Sequence, residues 1–186
     1  MNVRVATMAD VPALNALIVA SVRGLSPGFY SPAQIDAALQ AVFGVDSQLI
    51  ADETYYVIDG VGGPAAAGGW SGRNTLYGGD QTKGATDPRL DPATDPARIR
   101  AFFVHPSYAR RGLARKLYGV CERVAVAAGF RRFELMATLP GEPLYGALGF
   151  TVVERLVLSV GGVAVPFARM ARDIPTAPLS DRSRVD

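Results

Sequence analysis

The chain of 186 residues has a single cysteine, Cys121, and a single histidine, His105. One thiol excludes an intramolecular disulfide and a cysteine-based metal cluster. One imidazole excludes a zinc site built from several histidines, and it has no second histidine for a proton relay. The phosphate-binding pattern G-x-x-x-x-G-K-[ST] is missing. The first residues, MNVRVATMADVPAL, lack a basic region followed by an apolar signal core. No apolar run approaches the ~18 residues expected of a membrane span. These absences lead to the expectation of a cytoplasmic protein from a reducing compartment, with no metal and no membrane partner.

What is present is ordinary in bulk and uneven in detail. Hydrophobic residues make up 49% and charged residues 19%, as in a soluble globular protein. A chain of this size buries about 70% of its unfolded surface, enough for one domain without staples. Gly 20 and Pro 13 together exceed the average share, and nine of the glycines lie between Gly60 and Gly84. The surplus marks one local irregular region and not a low-complexity chain.

Charge is also segregated. Residues 1–97 carry five Lys/Arg against ten Asp/Glu, a net of −5. Residues 98–132 carry nine against the single acid Glu122, a net of +8. A basic block of this kind suits a polyanion, such as the phosphates of a ligand, or forms a solvated helix face. It lacks the interleaved aromatics of a nucleic-acid stacking surface, so nucleic acid is not expected as a partner.

Periodicity divides the chain into alternating strands and helices. Val3–Ala6 reads as a strand, and Leu14, Leu17, Ile18, Val22 and Leu25 follow at helical spacing, capped by Thr7 or Asp10. Ser31-Pro32 starts a second helix running to Phe43. Gln48–Ala51 and Thr54–Ile58 read as a strand pair across Asp52-Glu53. Ala65–Arg73 reads as a buried strand with a bulge at Gly68-Gly69. Residues 77–97, with three Asp-Pro dipeptides, form a long loop expected to act as a mobile flap. Ile99–Val104 is a strand ended by Pro106, and a helix with Leu113, Leu117, Cys121 and Val124 on one face stops at Gly129. Arg132–Thr138, the short helix Glu142–Leu148, and a hairpin of Phe150–Ser159 with Ala164–Arg172 complete the list. Residues 175–186 are expected to fray. This order gives an α/β (α+β) sheet protein, with residues 1–174 as one domain.

The segment AFFVHPSYARRGLARKLY, residues 101–118, is a strand–loop–helix junction carrying most of the basic block. The first N–H groups of a helix have no intrahelical acceptor, and the helix dipole adds positive charge there. Gly112 leaves room for a ligand, and Arg110, Arg111 and Arg115 add full charges. Such a junction suits a pyrophosphate. No G-x-G-x-x-G occurs at it, so it is not a dinucleotide fingerprint.

This segment resembles the acyl-CoA-binding motif of the GNAT N-acetyltransferase superfamily, Q/R-x-x-G-x-G/A after a strand ending in V-x-P. Val104-His105-Pro106 precedes Ala109-Arg110-Arg111-Gly112-Leu113-Ala114 here. Gly112 and Ala114 match, while Ala109 stands where the family has Gln or Arg. Downstream, Leu144-Tyr145-Gly146-Ala147-Leu148-Gly149-Phe150 is similar to the family's F/L-Y-x-x-L-G-F segment. The resemblance covers most of residues 1–172 and is weakest across 77–97.

The resemblance implies a mixed, mostly antiparallel sheet that splays after Val104, and an acetyl-CoA-dependent transfer to an amine by direct attack. Phe102, Phe103 and Val104 would pair with the pantetheine arm. Arg110, Arg111, Gly112, Leu113, Ala114 and Arg115 would wrap the pyrophosphate, and Thr138 would contact the pantetheine. A backbone N–H near Val104 would stabilise developing negative charge. Tyr145 would be the general acid. Glu134 is the nearest protein base, with a water chain as the alternative. Cys121 falls on the apolar helix face and reads as core. Trp70 and Tyr30 are candidates for acceptor contact, and the flap's aspartates would favour a cationic amine. The partner is a small-molecule or protein amine, and a homodimer is left open. An acyl-CoA-binding sensor without turnover is the alternative function.

Overall fold

The computed structural model describes residues 1–84 and 86–174. The tail expected to fray, 175–186, lies outside the described residues.

Seven strands form one sheet in the order β1-β2-β3-β4-β5-β7-β6. They are β1 (Val3–Val5), β2 (Tyr55–Gly60), β3 (Gly63–Ser71), β4 (Ala97–Val104), β5 (Arg132–Thr138), β6 (Thr151–Val160) and β7 (Val163–Asp173). Every neighbouring pair is antiparallel except β4 with β5, which is parallel. The helices are α1 (Val11–Leu25), α2 (Pro32–Ala41), α3 (Ser47–Ala51), α4 (Leu113–Ala127) and α5 (Glu142–Ala147). Ser31 caps α2 as its sequence suggests: its Oγ accepts the Gln34 N–H, and the Gln34 side chain returns to the Ser31 N–H.

Two apolar cores lie on opposite faces of the sheet. One packs α4 and α5 residues such as Leu117, Cys121 and Tyr145 against Ile99, Phe133 and Leu135. The other packs α1 and α2 residues such as Leu14, Ile18 and Ile35 against Val57, Ala67 and Phe167. Side chains of β4 alternate between them: Phe102 and Val104 face the α4 side, Ala101 and Phe103 the α1–α2 side.

Three expectations are corrected. Residues Gln48–Ala51 are helical, not a strand. Asp46 caps this turn by accepting the Gln48 N–H at 3.0 Å, a local bond that a short apolar run cannot reveal. The bulge expected at Gly68-Gly69 is instead an extra residue in β4. Ala67 faces Phe103 and Gly69 faces Arg100, so three steps on β4 match two on β3. Ala101 carries the strain with φ of 55°. Gly68 still matters, since a Cβ there would stand 2.7 Å from the Phe102 ring. Finally, Met8–Leu25 is 18 residues long with mean hydropathy 1.3, apolar enough in length and composition to cross a membrane. Its buried residues, Leu14, Leu17, Ile18 and Val22, belong to the α1–α2 core.

Candidate functional site

The β4–β5 ladder is short. Only Ala97 with Phe133 and Arg98 with Glu134 are paired, and the strands diverge from Ile99 onward. The bulge at Ala101 turns the outer half of β4 away, so its backbone edge loses a sheet partner. An open parallel edge of this kind can accept an extended ligand as an added strand. Arg98 and Glu134 form an ion pair at the fork.

A cavity of about 710 Å³ fills the fork and passes from one face of the sheet to the other. Its walls include Phe102, Phe103, Val104, Arg110, Gly112, Leu113, Ala114, Arg115, Thr138 and Tyr145. The helix α4 begins here. Its cap, Gly112, has φ of 78°, and no heavy atom beyond its chain neighbours lies within 4 Å of where a Cβ would stand. Arg110 also has positive φ, 63°. Arg110 and Gly112, on either side of Arg111, are thus left-handed at the start of α4, and Arg110, Gly112 and Arg115 line one stretch of the wall as a cradle. A diphosphate fits such a cradle through both hydrogen bonds and charge. Arg111 does not line the cavity; its guanidinium stands 5.4 Å from the Tyr108 ring centre. The sole histidine serves the turn before α4, where His105 Nδ1 accepts the Ser107 N–H at 3.2 Å.

Tyr145 lies in the wall on the α4 face. Its ring meets Phe102 edge-on at 6.4 Å and Phe150 at 5.9 Å. Burial pushes its phenol well above the ordinary value. Gly68 admits the Phe102 ring, and Phe102 positions Tyr145, so a glycine on β3 helps fix a tyrosine on α5.

Three expected site residues stand elsewhere. Glu134 is outside the cavity, with one carboxylate oxygen held by Arg98 and the other accepting from Arg169 at 3.0 Å. Its pairing leaves it as a structural tie at the fork, not a free base. Trp70 is buried against Phe130 at 5.9 Å. The Tyr30 hydroxyl donates to the Pro166 carbonyl at 2.7 Å and accepts the Leu139 N–H at 2.9 Å, which spends it on the β5–β7 corner. Cys121 is fully buried, and its thiol is pushed well above its ordinary range.

Several wall residues escaped the sequence. Ser21 of α1 reaches across to accept the Val104 N–H at 3.2 Å. Phe29, Phe43, Tyr77, Phe167 and Met136 line the α1–α2 half. Arg100 lies in the wall, buried, and is held by Asp46 Oδ2 at 3.0 Å and the carbonyls of Thr75 and Gly78, each at 2.7 Å. Asp46 also pairs with Lys83. This cluster fastens the 72–96 loop to β4 and to the start of α3, together with Asp80, which accepts the Ser47 N–H at 2.9 Å. An arginine amid Ile99, Ala101 and Phe102 was the one sequence signal for it.

No group of three or more potential metal ligands occurs among the described residues. The family model for the acetyltransferase (GNAT) family matches residues 50–150. The chain belongs to the GNAT acetyltransferase family. No curated protein sequence matches it. Similar solved structures include a GCN5-related N-acetyltransferase from Rhodopseudomonas palustris, with TM-score 0.67 and 20% identity over 93% of this chain and 95% of that one. Another is the PaiA N-acetyltransferase of Thermoplasma acidophilum in complex with coenzyme A, with TM-score 0.60 and 12% identity over 92% and 98%. A third is YncA, a putative acetyltransferase of Salmonella typhimurium with acetyl-CoA, with TM-score 0.61 and 16% identity over 98% of both chains. At these identities the likeness is one of fold.

Proposed function

We propose that this protein is an acetyl-CoA-dependent N-acetyltransferase that transfers the acetyl group directly to an amine within one cavity. The observation that carries this reading is the continuity of three features in that cavity: the α4 cradle, the unpaired edge of β4, and Tyr145. The diphosphate would be held by the α4 N–H groups with Arg110 and Arg115. The pantetheine amides would align along Phe102 to Val104, with Thr138 on the facing strand. Acetyl-CoA supplies an activated thioester at the fork. The coenzyme A bound to PaiA and the acetyl-CoA with YncA support the choice of donor.

The chain's own groups then divide the work. The main-chain amides of outer β4 offer hydrogen bonds where negative charge develops. Tyr145 keeps its proton at neutral pH and can donate it to a departing thiolate. Among the described residues, no Asp, Glu, Lys or His lines the cavity, so the attacking amine loses its proton to water.

The same lack of a base favours a second reading, an acyl-CoA-binding sensor without turnover. Acetyl-CoA mixed with a panel of amines, followed by mass spectrometry of the products, separates the two. Acetylated amine supports the enzyme. Acetyl-CoA binding with no acetylated product from any amine supports the sensor.

A further inference from the structure

We infer that the acceptor is an apolar amine with an aromatic body that enters uncharged, such as an arylamine, and not an alkylammonium or polyamine. This rests on the acetyltransferase reading and specifies its second substrate. The cavity's two halves differ in chemistry. The half on the α4 face carries the cradle and its arginines. The half on the α1–α2 face is aromatic: Phe43 meets Phe103 edge-on at 5.9 Å and Phe167 at 6.3 Å. At its mouth stand two aromatic side chains from different loops, Phe29 at 51% and Tyr77 at 39% exposure. Exposed rings facing a cavity gain most from burying an apolar ligand.

Rings of this kind also hold cations, so charge decides between acceptors. The charged residue in this half is Arg100. Its guanidinium pairs with Asp46, which also pairs with Lys83, and Asp87 acts on it as a second negative charge, so the four groups sum to zero. The Asp87 carboxylate accepts the Thr75 N–H at 2.8 Å and does not itself line the cavity. An ammonium entering here leaves its water shell and finds no carboxylate among the described lining residues to replace it. A carboxylate on the ligand gains little either, because Arg100 is already committed to Asp46, Thr75 and Gly78.

The missing base points the same way. An alkylamine with a pKa of about 10.4 is only about one part in a thousand neutral at pH 7.4, whereas an arylamine is neutral throughout. A cavity that cannot deprotonate its acceptor suits one that needs no deprotonation.

The test compares 4-ethylaniline, phenethylamine and spermidine as acceptors, read by thiol release and product mass, with acetyl-CoA binding measured separately by calorimetry. The expected order of kcat/KM at pH 7.4 is 4-ethylaniline, then phenethylamine, then spermidine, with steps of about tenfold. The 4-ethylaniline profile should be flat from pH 6 to 9, while that of phenethylamine rises about tenfold per pH unit. Tyr77→Ala, at the mouth, and Phe43→Ala should each raise the 4-ethylaniline KM about tenfold with acetyl-CoA binding unchanged. Spermidine as the best substrate, or phenethylamine with a flat profile, overturns the acceptor class and leaves the acetyltransferase reading standing. Acetyl-CoA binding with no turnover of any of the three overturns the acceptor class, and no acetylated product from the wider amine panel overturns both.

Discussion

The hydroxyl of Ser21, on α1, accepts the main-chain N–H of Val104, on β4, at 3.2 Å. This N–H lies beyond the last β4–β5 pair, so the sheet does not use it. A ligand strand along β4 would have to compete with Ser21 for the same donor. Ser21→Ala should therefore lower stability by about 1 kcal/mol and tighten acetyl-CoA binding by up to about fivefold. Denaturant melts and calorimetry measure both. Weaker binding in the variant would mean that Ser21 holds the ligand and does not compete with it.

Tyr145 sits at 8% exposure, with its ring fixed by Phe102 and Phe150. Tyr145→Phe retains that packing and removes only the hydroxyl. The expected result is a drop in kcat of about a hundredfold, with acetyl-CoA affinity and melting temperature little changed. Burial raises the phenol above its ordinary value of about 10, so the wild-type kcat profile should show no falling alkaline limb below about pH 10. The sign for stability follows. The folded state keeps this proton where the unfolded chain has lost it, so the contribution is complete below about pH 10 and declines above it. A kcat equal to wild type would make Tyr145 a packing residue.

Gly112 tests the cradle. At φ of 78° a side chain is strained, and the space before its Cβ is open for a ligand. Gly112→Ala should cost about 1 kcal/mol of stability through the left-handed conformation alone. Its methyl group would project toward the phosphates, and acetyl-CoA affinity should fall at least about tenfold. The control is Gly161→Ala, in the β6–β7 turn, which has φ of 55° and similarly open surroundings. It should show the strain without the binding loss. Equal acetyl-CoA affinities for the two variants would move the diphosphate away from α4.

The cradle and Tyr145 were legible in the sequence because each is encoded locally. Gly112 and its arginines precede an amphipathic helix, and Tyr145 lies in a contiguous motif. Helix α4 and strand β5 were legible for the same reason, through unbroken periodicity. The acceptor half was not. Ser21 of α1, Phe43 between α2 and α3, and Phe167 of β7 meet only when α1 and α2 fold over the sheet. Glu134 illustrates the opposite failure. Residue type made it a candidate base, but the short β4–β5 ladder sets it beside Arg98, and its second oxygen faces Arg169 from β7. The bulge was sensed at its glycines yet lies on the facing strand, because Gly68 provides the room and Ala101 takes the strain.

Arg73 links the 72–96 loop to the body of the protein. Its Nε and Nη2 donate to Asp52 at 2.6 and 3.0 Å, and its Nη1 to the Asp87 carbonyl at 3.2 Å. The Arg73 guanidinium, with help from Gln48, holds the Asp52 carboxyl below its ordinary range. A carboxylate with a lowered folded value stabilises fully above the unfolded value of about 3.9 and loses that contribution as pH falls below it. Arg73→Met should therefore cost about 1 kcal/mol at pH 7, and the gap from wild type should close by about pH 2. The loop carries Tyr77, so the variant should also raise the acceptor KM while acetyl-CoA affinity holds. Melting temperatures at a series of pH values, with amine and acetyl-CoA titrations at pH 7.4, read both effects. A stability gap that stays constant from pH 7 to pH 2 would reduce Arg73 to the packing of its aliphatic stem.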